Sequence, residues 1–235
     1  MKPILLLLIL LHSHAAWSQG QDTTLFLGET GIRLQIIRSG EPRLAFLALH
    51  DAEGSSAAVE SVLKDSAGLF IRLLNHRKRM LSYSCREEKN TIDPNRMFGE
   101  TGISPCVDSF AANLLALMPD SLPWVSVHTN TEGGFSALSY AAKNSCLSDS
   151  IWLQPGSDPD HFILATDPTA YAFFKRQGLN TILQRKGAQP DDGSLSLWGD
   201  RHQRELITVE AQRGQSAKLR ELLLAVYRYA RLRRP

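Results

Sequence analysis

Apolar residues along the chain form short continuous runs that alternate with longer segments of helical periodicity. Runs at residues 43–49, 162–166 and 206–209 are typical of strands buried on both faces. Residues 32–37 alternate like a half-buried strand. Further short strands are predicted at residues 80–84, 123–127, 181–183 and 194–198. Helices are predicted from Ser55 or Ser56 to about Leu74, over residues 108–118, from Pro168 onwards and over residues 216–231.

This order of elements predicts the fold class. Strands that alternate with helices are typical of α/β domains, in which helices cover both faces of one sheet. We therefore expect a single α/β domain with a mostly parallel or mixed twisted sheet and helices on both faces. Ligands of such sheets bind beyond the carboxyl ends of the strands, so the residues that follow each strand are the candidates for function.

The N-terminus has the pattern of a secretory signal peptide. Lys2 precedes an apolar run at residues 4–11, and Ala16-Trp17-Ser18 follows it. The run is too short to span a bilayer, and no later stretch is long and apolar enough for a transmembrane helix. We expect residues 1–18 to be removed and residues 19–235 to form an exported domain, periplasmic or secreted.

Composition and charge narrow the class of protein further. The chain of 235 residues is 43% hydrophobic and 21% charged, which is the balance of a folded globular protein. Its formal net charge of +2 provides no field that could hold a nucleic acid. The expected partner is thus a small molecule or peptide.

Three cysteines follow the predicted signal peptide, namely Cys85, Cys106 and Cys146. An oxidising compartment favours one disulfide and leaves one thiol over, and the sequence permits any of the three pairings. No Cys-x-x-Cys spacing occurs, so a thiolate zinc site is not expected.

Histidine and glutamate follow three of the predicted strands. His50 and Glu53 come after the strand at 43–49, His128 after 123–127, and Glu210 after 206–209. Two imidazoles and one carboxylate make a zinc site that keeps a fourth position for water, and a further carboxylate can act as the general base. A second His-x-x-Glu at 202–205 precedes a strand, so we discount it.

These residues and the segment Asp93-Pro94-Asn95-Arg96-Met97-Phe98 resemble the zinc carboxypeptidase (funnelin) superfamily, including its succinylglutamate desuccinylase and aspartoacylase branch. The segment is similar to the D-L-N-R-N-F signature of that superfamily, with Pro94 and Met97 as departures. The order of motifs matches from about residue 43 to 211. The resemblance implies a zinc-carboxypeptidase-like fold.

The resemblance also implies roles for the residues at the strand ends. His50, Glu53 and His128 would be the ligands of one zinc ion per chain. Glu210 would be the catalytic glutamate. Asp51 or a backbone carbonyl would orient a ligand imidazole.

Substrate contacts follow from the same resemblance. Asn95 and Arg96 would hold the terminal carboxylate of the substrate, and Arg86 would stabilise the transition state. The tyrosine that caps the substrate in this superfamily has two candidates, Tyr140 and Tyr171.

The expected activity is that of an exported, carboxypeptidase-like zinc metallopeptidase. Its substrate would be a small peptide with a free carboxylate, for which a cell-wall peptide is a candidate. An N-acyl amino acid deacylase is the alternative within the superfamily. From other classes, a serine hydrolase would use Ser136 with Asp167 and His202, although Leu138 is too bulky for its sharp turn. A non-catalytic exported binding domain is the remaining alternative.

Overall fold

The computed structural model describes residues 19–100, 102–141, 147–184 and 190–233. The predicted signal peptide and Cys146 lie outside these ranges. The strands are β1 (Gln19–Leu27), β2 (Thr30–Ser39), β3 (Ala45–Ala48), β4 (Gly68–Leu74), β5 (Leu81–Cys85), β6 (Glu88–Ile92), β7 (Trp124–Asn130), β8 (Ser148–Trp152), β9 (Phe162–Ala165), β10 (Thr181–Gln184) and β11 (Leu206–Gln212). The helices are α1 (Ser56–Leu63), α2 (Pro105–Leu115), α3 (Ala137–Ala141), α4 (Pro168–Arg176), α5 (Leu195–Arg201) and α6 (Ser216–Leu232).

Within the described ranges, nine strands form one mixed sheet in the order β1-β2-β4-β3-β7-β11-β9-β10-β8. The four central strands, β4, β3, β7 and β11, are mutually parallel. Antiparallel pairs flank them, because β2 pairs with β4 on one side and β9 with β11 on the other. Strands β5 and β6 form a separate antiparallel hairpin. The mixed α/β sheet predicted from the sequence is confirmed.

The sheet is buried between two layers of helices. Helices α1, α4 and α6 pack on one face around Phe46, Phe70 and Phe174, and helices α2 and α5 pack on the other around Phe110 and Trp124. Successive residues of β3 point alternately into these two cores, which is why its sequence is continuously apolar. Helices on both faces are therefore confirmed. Within the described ranges, no helix has the length and hydropathy to cross a membrane.

Two of the predicted elements are wrong. The predicted helix from residue 55 to about residue 74 ends at Leu63, and β4 begins at Gly68 and occupies the rest. Strand β4 is buried on both faces, and an apolar run of that kind cannot be distinguished from a helix by periodicity. Residues 194–198 were predicted as a strand, but α5 begins there with Ser194 as its N-cap, whose hydroxyl accepts the N–H of Leu197.

Cys85 and Cys106 form a disulfide, which selects one of the three pairings that the sequence allowed. It joins the end of β5 to the first turn of α2. Cys85 pairs with Glu88 beside the turn, so the disulfide anchors the turn end of the hairpin β5–β6 to α2, and the segment 93–96 follows the opposite end of the hairpin.

We expect Cys106→Ser to lower the free energy of unfolding by about 3 kcal/mol, because the bond closes a loop of 21 residues in the unfolded chain. Equilibrium denaturation in guanidinium chloride measures the change. Wild-type protein with its disulfide reduced should show the same decrease in the free energy of unfolding. An unchanged midpoint in both samples would show that other contacts hold the hairpin to α2.

Candidate active site

The carboxyl ends of β3, β7 and β11 meet at one edge of the sheet and carry the candidate catalytic residues. His50 follows β3, and Glu53 lies in the short 3-10 turn Asp51–Glu53 that comes next. His128 and Glu210 are directly paired in the parallel register of β7 and β11. The structure thus brings together four residues that are up to 160 positions apart in the sequence.

Three potential metal ligands converge on one point. The Nδ1 atoms of His50 and His128 are 3.3 Å apart. One carboxylate oxygen of Glu53 lies 3.0 Å from Nδ1 of His50, and the other lies 3.3 Å from Nδ1 of His128. All three side chains are buried, and their ligand atoms lie within 4.8 Å of one another, as a metal ion would require.

The outer nitrogens of both imidazoles have partners that orient the rings. Nε2 of His50 lies 2.7 Å from Oδ1 of Asp93, and Nε2 of His128 lies 2.8 Å from the hydroxyl of Ser126. A carboxylate can only accept a hydrogen bond, so Nε2 of His50 carries a proton toward Asp93, and Nδ1 presents a lone pair to the cluster once His50 is neutral. With His128 in the same tautomer, two lone pairs and a carboxylate face each other, an arrangement that a cation satisfies. The donor set therefore fits a metal ion.

Glu53 is held in place by the strand that carries His128. The backbone N–H of Thr129 donates to Oε2 of Glu53 at 2.9 Å, and the Thr129 hydroxyl donates to the Glu53 carbonyl at 2.9 Å. Burial raises the pKa of Glu53, but His128 and His50 outweigh it and hold that pKa well below its usual range. The carboxylate is therefore ionised, as a metal ligand must be.

His50 binds protons more strongly than an ordinary histidine. Burial lowers its pKa, but the hydrogen bonds with Asp93 and Glu53 raise the pKa of His50 to about 8. The His50 interaction, with a backbone hydrogen bond from Asn95, in turn holds the pKa of Asp93 below its usual range despite burial. Because protonated His50 cannot bind a metal, binding of a cation near neutral pH should release a proton.

Glu210, Asn95 and Arg96 line a pocket of about 450 Å³ that also contains His50, Glu53 and His128. Burial raises the pKa of Glu210 to about 7. The side-chain oxygen of Asn95 accepts the N–H of Leu195 at 3.2 Å, which leaves its amide nitrogen as a donor. The structure thus places a carboxylate with a nearly neutral pKa and two hydrogen-bond donors in one pocket with the cluster.

Of the two candidate tyrosines, Tyr140 is the one that lines the pocket. It stands edge-on to Phe135 and Phe162, and burial together with Glu210 raises its pKa. Tyr171 lies on α4 and packs against the core between that helix and the sheet.

The structure does not bring Arg86 to the pocket. Arg86 lies in the turn between β5 and β6 with a positive φ of 52°, and its N–H donates to Glu29. Arg79 does line the pocket, and it donates to Glu53 from Nη1 and to Asp93 from Nη2, both at 3.1 Å. The sequence does not single out Arg79, because it is the last of three consecutive basic residues.

The residues of the alternative serine hydrolase lie at opposite edges of the sheet. Ser136 precedes α3 near the pocket, and its hydroxyl accepts the N–H of Leu138. Asp167 follows β9 and caps α4. Because β9 runs antiparallel to β11, Asp167 lies beside the first residues of β11, at the opposite end of that strand from Glu210. His202 ends α5 just before β11 and stacks on Trp198. The three residues therefore do not form a catalytic triad.

No family model and no curated protein matches the chain, but solved structures do. Product-bound ectoine utilization protein EutE (DoeB) from Ruegeria pomeroyi is similar over 91% of this chain and 67% of its own, with a TM-score of 0.51 and 16% identity. A succinylglutamate desuccinylase from Silicibacter sp. TM1040 is similar over 90% and 66%, with a TM-score of 0.50 and 14% identity. A metallo-carboxypeptidase from Burkholderia cenocepacia is similar over 89% and 64%, with a TM-score of 0.46 and 14% identity.

The chain therefore shares its fold with EutE and with the succinylglutamate desuccinylase, an activity that belongs to the superfamily that the sequence motifs resemble. At these identities the similarity is one of fold. The chain spans about two thirds of the length of the desuccinylase and of EutE.

We expect Asp93→Asn to weaken zinc binding by about 10–100-fold, because a neutral amide no longer supports the basicity and orientation of His50. Competition against a chromogenic chelator measures the affinity. Asp22→Asn, which alters an exposed carboxylate that pairs with Arg33 and accepts a hydrogen bond from Gln35, is the matched control and should bind zinc like the wild type. Equal affinity of both variants would contradict the role of Asp93.

We expect Glu210→Gln to stabilise the metal-free protein in a pH-dependent way. The pKa of Glu210 is raised from 4.5 to about 7 in the folded state, so the folded protein holds this proton more strongly than the unfolded chain. The free energy of unfolding is therefore highest below about pH 4.5 and decreases as the pH rises through about 7. Above pH 7 the variant should gain on the order of 2–3 kcal/mol in the free energy of unfolding, and near pH 4 little.

Thermal and denaturant unfolding in the presence of a chelator, at both ends of this pH range, measure the gain. Glu221→Gln changes an exposed glutamate that pairs with Lys218, and it should show no such gain. If Glu210→Gln also left the free energy of unfolding unchanged, the environment of Glu210 would not disfavour its charge.

Proposed function

We propose that the protein is an exported zinc-dependent hydrolase that cleaves an amide bond in a small peptide with a free carboxylate, for which a cell-wall peptide is a candidate. The observation that carries the proposal is the convergence of His50, Glu53 and His128 in one pocket with Glu210. The fold and the donor chemistry support zinc as the metal. Export and the periplasmic or secreted location rest on the N-terminal sequence pattern.

In this proposal His50, Glu53 and His128 would hold the zinc ion, which when bound would supply a water of lowered pKa and polarise the substrate carbonyl. Glu210 accepts the proton of the attacking water and returns it to the leaving nitrogen. Arg96 and the amide nitrogen of Asn95 bind the free carboxylate of the substrate. Arg79 donates to the oxyanion that develops on the carbonyl oxygen.

Arg79 is suited to that role by its position. Its two terminal nitrogens contact Glu53 and Asp93, so the guanidinium is fixed against the ligand cluster. Its side chain lines the pocket and is 55% exposed, which leaves donors for a ligand.

An N-acyl amino acid deacylase is the second candidate. The structural neighbour with a TM-score of 0.50 favours it, because that protein is named a succinylglutamate desuccinylase. The same residues would serve, because an acyl amino acid also presents an amide next to a carboxylate.

The mature chain loaded with zinc should hydrolyse members of a panel of acylated dipeptides with free carboxyl termini, and a chelator should abolish the activity. The same panel extended to acetyl, succinyl and formyl amino acids decides between the peptidase and the deacylase. Arg79→Ala should lower kcat about 10²–10³-fold through loss of one oxyanion donor.

Arg86→Ala is the matched control for Arg79→Ala and should retain the wild-type kcat. Glu210→Gln should bind zinc but lose turnover. Absence of zinc binding, or turnover that survives in Glu210→Gln, would refute the proposed function.

A further inference from the structure

The connection between β4 and β5 contains a tight turn of basic residues in a strained backbone conformation. His76 and Arg77 have positive φ angles of 50° and 58°, and the N–H of Lys78 donates to the carbonyl of Asn75 at 2.9 Å. Two positive φ angles at the central positions are the pattern of a type I′ turn, for which Asn-Gly is a favoured pair. Other residues adopt this conformation at a cost in free energy, which surrounding contacts must offset. We call residues 75–78 the basic turn.

Asp51 holds the basic turn in this conformation. Its Oδ2 accepts the N–H of Arg77 at 2.8 Å and the N–H of Asn75 at 3.0 Å. The Asn75 side chain adds two hydrogen bonds from Nδ2, to the carbonyls of Lys78 and Met80, at 3.2 and 2.8 Å. The backbone of the turn is therefore fixed by two side chains before any ligand binds.

These contacts place the basic turn at the mouth of the pocket. Asp51 begins the 3-10 turn that ends at Glu53. Asp51 was a predicted partner of a ligand imidazole, but Asp93 orients His50, and Asp51 binds the backbone of the basic turn instead. Arg79, which lines the pocket, directly follows the basic turn in the chain. The turn is thus attached to the ligand cluster at both of these points.

The side chains of the basic turn are available to a ligand. His76, Arg77 and Lys78 are all exposed, and none of them forms an ion pair with another residue of the described ranges. Together with Arg79 they make four consecutive basic residues, in a chain whose formal net charge is only +2. Such a cluster attracts anions to the pocket mouth. Because the turn is already ordered, binding there loses little backbone entropy.

The strained conformation indicates that the basic side chains themselves are required. A turn that merely connected β4 to β5 would be more stable with asparagine and glycine at positions 76 and 77. Departures of this kind from local preference are expected at functional sites. Arginine, lysine and imidazole N–H groups at adjacent positions are donors for the oxygens of phosphate or carboxylate groups.

We propose that the basic turn, held against the ligand cluster by Asp51, binds an anionic group on the acyl part of the substrate, outside the pocket. The inference rests on the proposed function and names its substrate class. The acyl part extends beyond the pocket and carries a phosphate or a carboxylate. Asn95 and Arg96 bind the carboxylate on the other side of the scissile amide, so the substrate carries negative charge on both sides of that bond.

Binding of matched peptides tests the inference. The peptides are acetyl-X-Gly-Ala and acetyl-X-Gly-Gly-Ala, in which X is phosphoserine, glutamate, serine or glutamine, so that two distances from the free carboxylate are covered. Calorimetry uses the zinc-loaded Glu210→Gln variant, which prevents turnover. In at least one length, an anionic peptide should bind about threefold to tenfold more tightly than its neutral counterpart. A preference for phosphoserine over glutamate identifies phosphate as the group bound, and equal preference identifies any anion.

The triple variant His76→Asn/Arg77→Gly/Lys78→Gln, in the same background, should reduce this ratio to about one. It installs the favoured turn and removes two formal charges, so its free energy of unfolding should equal or exceed that of its parent. Arg228→Ala/Arg231→Ala is the matched control and also removes two formal charges. Both arginines are exposed near the end of α6, which lies beside the start of β11 and away from the pocket. The control should preserve the ratio.

Salt gives an independent readout, because exposed charges are screened. The preference for anionic peptides should decrease between about 0.05 M and about 0.5 M NaCl. Four results would overturn the inference: equal binding of anionic and neutral peptides, no measurable binding of any anionic peptide, a preference that survives in the triple variant, or a triple variant with a lower free energy of unfolding. The last result would mean that the basic side chains stabilise the fold.

Failure of the proposed function gives a different result. In that case the wild-type protein would bind no zinc or hydrolyse none of the peptides, although the preference for anionic peptides still depended on the basic turn.

Discussion

The parallel pairing of β3, β7 and β11 is the constraint on which the site depends. Parallel strands end at the same edge of a sheet, so His50, His128 and Glu210 meet there although long segments separate them. The register of β7 and β11 sets His128 directly opposite Glu210. A shift of either strand by one residue would turn its site residue to the other face of the sheet, because side chains alternate along a strand.

The site gathers ionisable groups in a buried position at the strand ends. His50 and Glu53 favour the charged forms of each other, whereas burial disfavours the charged form of Glu210 and raises its pKa to about 7. Such shifted pKa values are typical of functional sites. Apolar cores on both faces of the sheet hold the strands in position, and the charged residues lie at the ends of those strands.

A second part of the chain completes the site from one side. The hairpin β5–β6, joined to α2 by the disulfide, lies between Arg79 and the segment with Asp93, Asn95 and Arg96. Asp93 contacts the ligand cluster through His50, and Arg79 contacts it through Glu53. The side-chain oxygen of Asn95 accepts the N–H of Leu195, which joins this segment to the start of α5.

The sequence by itself determined the α/β class, most of the strands and the residues at the strand ends, because buried strands are continuously apolar and polar residues follow where the core ends. Tertiary structure decided the rest. Periodicity could not separate β4 from a helix, since both its faces are buried, and it could not recognise the capped start of α5. No local pattern distinguishes Arg79 from Arg86, or relates Asp51 to the basic turn that it holds. Their positions relative to the ligand cluster depend on contacts between segments far apart in the chain, and such contacts leave no periodic pattern in the sequence.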